Sequence, residues 1–196
     1  MLNSIFLIIF SLILVFIVEK IYPKIKPTVN YLDKFEYVPI LTANIYADLL
    51  IILITFLGVA FNSKTLVEWY KKYRLSAMIA DILIGVLYML LARYLIYLFR
   101  IDVSLTGFAL IAVAIQIVFD LLFYGFFQSV PRGVNQVLDF FKDYAKEVGT
   151  GALIGDAFLV IFAVLISAIL NTQSFDFNIV ALIVSMYLVP YILYMK

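Results

Sequence analysis

Long apolar stretches dominate the hydropathy pattern of this chain, and short polar segments separate them. Six stretches are close to the roughly 20 apolar residues that a bilayer span requires; they cover residues 2–18, 43–62, 76–98, 105–127, 152–170 and 178–195. The first is longer than a typical signal-peptide core and no basic residue precedes it, so we predict an uncleaved anchor helix. The pattern therefore predicts an all-α, polytopic membrane helix bundle of about six transmembrane helices.

The segments between the stretches differ in character. Residues 19–42 contain Pro23, Pro27 and Pro39, so an extended or irregular loop is predicted. Residues 135–148 carry apolar side chains at helical spacing and charged side chains on the other face, which predicts a short amphipathic helix on the membrane surface. The count of basic residues favours both termini inside, whereas the lysines after the first span favour the opposite orientation.

Two parts of the chain resemble each other in sequence. The matching segments, offset by about 71–75 residues, are Leu66–Tyr73 with Val137–Tyr144, Ala77–Asp81 with Ala152–Asp156, and Asp48–Ile51 with Asp120–Phe123. Each unit is a span, a surface helix and a second span, which predicts a parallel internal repeat. We expect one membrane domain over residues 1–196, made of an anchor helix and loop (1–42), repeat unit 1 (43–98), repeat unit 2 (105–170) and a C-terminal helix (178–196).

The repeat also duplicates small residues at helical spacing. Gly151 and Gly155 stand four residues apart in the second unit, and Ser76 and Ala80 occupy the matching positions of the first. Small residues at this spacing allow two helix backbones to approach closely in lipid. We therefore predict helix packing at these four positions, although small residues are also frequent in membrane helices generally.

Charged and polar side chains inside the predicted spans are the main candidates for function. They are Asp48, Asp81, Arg93, Gln116, Asp120 and Asp156. A charge at the bilayer centre costs roughly 2.5–3.5 kcal/mol on insertion scales, so such residues face a partner or a cavity. Their roles remain open between structure and function, because a helix N-terminus also stabilises a carboxylate one turn into the helix. For Asp48 and Arg93, predicted at similar depth, we expect an ion pair.

Composition excludes several classes of chemistry. The chain has 66% hydrophobic and 14% charged residues, against about 45–50% and 25% in soluble domains. Cysteine and histidine are absent, which excludes disulfides, thiolate nucleophiles, imidazole bases and nearly all zinc sites. A net charge of +1 gives no electrostatic footprint for nucleic acid. We expect no metal, no cofactor and no nucleic-acid partner.

An enzyme is not predicted, with one remote alternative. Intramembrane aspartyl proteases need two carboxylates, one of them in a Gly-x-Gly-Asp motif. Here Asp156 follows Gly155, but the first glycine of that motif is missing. Asp120 follows Phe119, where a tyrosine is expected. No other nucleophile or nucleotide-binding motif stands in the sequence.

The chain from about Asn62 to Tyr194 resembles a family of multi-pass membrane proteins of giant (nucleocytoplasmic large) DNA viruses. The similarity rests on Glu68–Arg74, Ala77-x-x-Ala-Asp81, Gln116-x-x-x-Asp120, Pro131-Arg-Gly-x-Asn135, Phe141–Glu147 and Gly155-Asp156. The family often has histidine where this chain has Phe119. The resemblance implies a viral or virus-modified membrane and carries no activity.

Two functions follow as hypotheses. The first is a structural or assembly component of a virion internal membrane. Its expected partners, besides the lipid bilayer, are capsid proteins, other membrane proteins or further copies of the chain. The second is a proton or small-cation channel or transporter, because the repeat and the intramembrane carboxylates are typical of transport proteins.

Overall fold

The computed structural model describes residues 2–59 and 63–195, and within this part of the chain all regular structure is helical. The helices are α1 (Leu2–Ile21), α2 (Tyr37–Phe56), α3 (Lys64–Tyr73), α4 (Leu75–Phe99), α5 (Leu105–Ser129), α6 (Gln136–Val148), α7 (Gly151–Leu170) and α8 (Phe175–Leu193). A 3-10 turn, Lys34–Glu36, leads into α2. Five segments of the described chain are long and apolar enough to cross a membrane; they contain α2, α4, α5, α7 and α8. The protein is thus a multi-pass membrane protein, and α1 stays a predicted sixth span.

Side-chain caps fix where four helices begin. Ser63, Ser104 and Ser174 each accept a hydrogen bond from a backbone N–H of the following turn, at the starts of α3, α5 and α8. Asn135 accepts two such bonds at the start of α6. These bonds satisfy donors that have no partner within the helix. The helix predicted over residues 135–148 is confirmed, with Asn135 as its cap.

Four long helices form the centre of the bundle. Helices α2, α4, α5 and α7 pack in the cyclic order α2, α4, α5, α7, and α4 also contacts α7. Helix α1 lies against α5 and α7, and α8 lies against α2. The core is built from fully buried apolar side chains of all four central helices, including Ile40, Ile52, Met89, Phe108 and Val164. The short helices α3 and α6 contact each other and close one end of the bundle.

The second predicted span begins and ends earlier than expected. Helix α2 covers Tyr37–Phe56 where residues 43–62 were predicted, and residues 60–62 lie outside the described chain. Pro39 stands in the first turn of α2, where its missing N–H costs no hydrogen bond. The prediction that residues 19–42 are irregular throughout is therefore wrong at both ends. Pro190, by contrast, lies within α8 as predicted.

Candidate functional site

A cavity of about 670 Å³ opens on one side of the bundle. Helices α3 to α7 supply nearly all of its wall. Three of the predicted carboxylates line it together: Asp81 from α4, Asp120 from α5 and Asp156 from α7. Most of the remaining lining is apolar or aromatic, namely Trp69, Tyr70, Tyr88, Phe119, Phe123, Phe126, Phe140, Phe141, Tyr144, Ile51, Ile84, Leu122 and Leu159. The fold thus gathers into one space three acids that are dispersed along the sequence.

Asp81 is held by the short helix that precedes it. The indole Nε1 of Trp69 donates a hydrogen bond of 3.0 Å to the Asp81 carboxylate. Trp69 is itself fixed by stacking on Phe140 of α6, with 5.3 Å between ring centroids. These two aromatic residues occupy matching positions of the two predicted repeat units. The contact between α3 and α6 therefore positions a carboxylate of the cavity.

Asp120 receives two donors from neighbouring side chains. The hydroxyl of Tyr88 donates a bond of 2.7 Å to one carboxylate oxygen, and the Gln116 amide, one turn earlier on α5, donates to the other. The same amide nitrogen lies 3.4 Å from the carbonyl of Leu153 on α7. Both oxygens of Asp120 thus accept a hydrogen bond from a neighbouring side chain.

Asp156 is the most accessible acid of the cavity. Its side chain is exposed, and that exposed surface lies in the cavity. Its carboxyl group lies within hydrogen-bond reach of Asp120. No other hydrogen-bond donor to this carboxyl group is found in the part of the chain that the structure describes. A proton on Asp156 can therefore be shared with Asp120, and Asp156 remains open to a ligand.

The fourth aspartate lies behind the cavity wall. Asp48 of α2 is fully buried, and the hydroxyl of Tyr70 donates a 3.1 Å hydrogen bond to its Oδ1. Tyr70 lines the cavity, and its hydroxyl also lies within reach of Asp81. Burial raises the pKa of Tyr70 well above its ordinary value, and the neighbouring Asp48 and Asp81 raise it further. Tyr70 therefore stays protonated and connects Asp48 to the cavity.

The predicted ion pair of Asp48 and Arg93 is wrong. Arg93, which is fully buried, pairs instead with Glu36 at 3.1 Å and donates to the carbonyls of Asn30 and Asp33. Because α2 starts earlier than expected, Glu36 and not Asp48 lies level with Arg93. Asp48 is about 18 Å further along α2, at 1.5 Å per residue. The buried pair thus closes the end of the bundle opposite to α3 and α6.

The helix packing predicted at four small residues is contradicted at two of them, Ser76 and Ala80. Ser76 and Ala80 are exposed in the chain, and Ala80 and Gly155 line the cavity. A Cβ on Gly151 would meet only the side chain of Val148, in the turn before α7. The expected close approach of two backbones is therefore not found at Ser76 and Ala80.

A close approach of α4 to α2 occurs at a glycine that sequence reasoning did not select. A Cβ on Gly85 of α4 would lie 2.3 Å from Oδ1 of Asn44 on α2. Gly85 stands four residues after Asp81 and therefore lies on the same helix face. This spacing is the feature of the sequence from which the contact could have been predicted. Trp69, Tyr70 and Tyr88, which bind three of the aspartates, were also missed, because aromatic residues are frequent in any membrane protein.

Comparison with protein-family models, curated proteins and solved structures finds no match to this chain. Among the described residues, no group of three His, Cys, Asp or Glu side chains is arranged to hold a metal ion. The candidate site is therefore defined by its own geometry, a cavity lined by three carboxylates. Asp120 is paired with Asp156, and Asp81 is connected through Tyr70 to a fourth carboxylate, Asp48.

Proposed function

We propose that the protein is a proton-translocating membrane carrier whose cavity carboxylates take up and release protons. The observation that carries the proposal is the convergence of Asp81, Asp120 and Asp156, from three helices, on one cavity. Carboxylates in a membrane are costly and are typical of ion and proton pathways. No lysine or arginine is among the described residues that line this cavity, so cations or protons are what neutralises these acids.

The hydrogen-bonded contacts supply a route for protons into the bundle. From the cavity, Asp81 is connected through the Tyr70 hydroxyl to Asp48. A tyrosine hydroxyl both donates and accepts, so it can relay a proton between two carboxylates. The route ends at Asp48, whose Oδ2 has no hydrogen-bond partner in the described chain.

The far end of the bundle is packed and closed. Between Asp48 and the Arg93–Glu36 pair lie the fully buried Ile40 and Met89. Closure of this end, with the cavity carboxylates near the other, supports a carrier that alternates between two states more than a permanently open channel.

The predicted internal repeat also supports a carrier built of two units. Helices α2, α3 and α4 follow the order long, short, long, and α5, α6 and α7 follow it again. The residues that end the two short helices, Arg74 and Gly149, share an unusual backbone conformation, with φ 51° and ψ −125° against φ 58° and ψ −132°. Arg74 adopts a left-handed φ that glycine tolerates better. This backbone match is the strongest support for duplication.

Two other functions stay as alternatives. The structural role in a viral membrane remains a prediction, which mass spectrometry of purified virions tests. The contact of Asp120 with Asp156 gives the aspartyl protease hypothesis its one supporting observation. However, the first glycine of the Gly-x-Gly-Asp motif is missing before Asp156, so the proton carrier is preferred.

Proton uptake into liposomes tests the proposal. Purified protein is reconstituted with a pH-sensitive dye inside, and a potassium gradient with valinomycin sets the membrane potential. We expect potential-driven acidification above that of empty liposomes, strongly reduced when Asp120 and Asp156 are both changed to Asn. Asp102→Asn, an exposed site away from the cavity, is the matched control. Wild-type uptake equal to empty liposomes would overturn the proposal.

A defined set of titratable side chains determines the pH dependence of proton uptake. The titratable side chains that line the cavity are Asp81, Asp120, Asp156, Tyr70, Tyr88 and Tyr144, with Asp48 behind Tyr70. Burial raises the pKa of Tyr144, as it does that of Tyr70, so both hydroxyls stay protonated. The aspartates are therefore left as the proton-exchanging groups of the cavity.

A further inference from the structure

Part of the cavity lining lies on the outer surface of the bundle. It includes Phe119, Leu122 and Phe126 of α5 and Ile84 of α4. These side chains are exposed in the chain, and a membrane-spanning helix presents such apolar surface to acyl chains. A molecule dissolved in the bilayer can therefore enter the cavity from the side, between α4 and α5.

The interior combines negative charge with aromatic faces. Beyond the mouth lie the three carboxylates, of which Asp156 is exposed and lies within hydrogen-bond reach of Asp120. Trp69, Tyr88 and Tyr144 lie around them in the same wall. Carboxylates attract a cation through charge, and aromatic faces attract it through their quadrupole. Together they select against anions.

We infer that this cavity binds a hydrophobic organic cation, which enters from the bilayer and places its charge at Asp156. The inference rests on the proposed function, since the bound cation would exchange with the protons of the same acids. A volume of about 670 Å³ lies within the range of pockets for organic ligands. A small inorganic ion needs oxygen ligands to replace its water, whereas most of this wall is carbon.

The single tryptophan of the chain makes a direct binding measurement available. Trp69 lies in the cavity wall and is the only tryptophan, so its fluorescence reports on the site without a label. Tetraphenylphosphonium and tetraphenylborate provide the probes, because they share size and shape and differ in the sign of their charge. Each is titrated into wild-type protein in detergent, and tetraphenylphosphonium binding is measured independently by equilibrium dialysis.

We expect saturable quenching by tetraphenylphosphonium and none by tetraphenylborate. Asp156→Asn should weaken binding by about tenfold or more, as removal of one partner of a desolvated charge pair does. Asp156→Glu, which keeps the charge, should retain most of the affinity, and the exposed Asp102→Asn should match wild type. Equal binding of the two probes, or no binding of the cation, would overturn the inference. This comparison uses wild-type protein, so it holds even where a variant fails to fold.

The two proposals can fail separately. Proton uptake that depends on the carboxylates, in a preparation that does not bind tetraphenylphosphonium, removes this inference and leaves the proposed function standing. Specific binding of the cation without proton uptake does the reverse.

Discussion

The contact of Gly85 with Asn44 gives the sharpest prediction of stability. Asn44 is fully buried; its amide nitrogen donates 2.8 Å to the carbonyl of Ile40 and lies 3.4 Å from the sulfur of Met89. A methyl group at Gly85 would lie 2.3 Å from the Asn44 oxygen, far inside the ordinary contact distance of roughly 3.5–4.0 Å. Gly85→Ala should therefore force the two helices apart or turn the amide away from its bonds.

A matched control separates this clash from helix propensity. Gly125 of α5 has no atom within 4 Å of the position of a Cβ. Replacing glycine with alanine in a helix gains up to about 1 kcal/mol in propensity, so Gly125→Ala should be neutral or stabilising. The difference between the two variants isolates the overpacking cost, which is about 1–3 kcal/mol. We expect Gly85→Ala to be the less stable variant by that amount.

The assay is reversible unfolding in mixed micelles, followed by far-ultraviolet circular dichroism. Asn44→Ala removes the clashing oxygen, so adding Gly85→Ala to it should cost much less than in the wild type. Equal stability of Gly85→Ala and Gly125→Ala would refute the reasoning. So would an unchanged cost of Gly85→Ala in the Asn44→Ala background.

Three further predictions concern the polar contacts. Glu36→Gln or Arg93→Gln alone should destabilise the fold by about 3–5 kcal/mol in the same unfolding assay, and the double change should recover part of the loss. The pKa of Glu147 lies below its ordinary value of 4.5, chiefly because a hydroxyl at the start of α3 donates to it. Its contribution to stability is therefore present above that value and lost as the pH falls through the folded pKa. Glu147→Gln removes this contribution, so the melting temperature of the variant should fall less between neutral and acid pH than that of the wild type. Asp81→Asn should shift the emission of Trp69, because the indole N–H exchanges its carboxyl acceptor for an amide.

Each of these has an outcome that contradicts it. If the loss of stability in the double variant equals the sum of the two single losses, Glu36 and Arg93 do not interact. An unchanged acid limb would show that the bond between α6 and α3 does not form in solution. For Asp81, Asp102→Asn is the control, and identical emission spectra of Asp81→Asn and wild type would exclude the contact with Trp69.

Local patterns in the sequence were enough to determine the class of protein and most of the helices. Apolar runs and 3.6-residue periodicity depend only on neighbours along the chain. They therefore predicted the multi-pass helical fold and α6. The start of α2 was misplaced, because Tyr37–Leu41 is apolar but carries a proline, and the sequence does not show that Pro39 stands in a first turn.

The partners of the buried charges were decided by tertiary structure alone. A shift of six residues in the start of α2 changes which side chain lies level with Arg93, so the sequence predicted Asp48 where the fold places Glu36. Likewise, Asp81, Asp120 and Asp156 are separate polar positions in the sequence. They share a cavity only because α4, α5 and α7 pack around it and α3 brings Trp69 and Tyr70 to its wall. Such contacts join residues far apart in the chain, and hydropathy carries no information about which helices become neighbours.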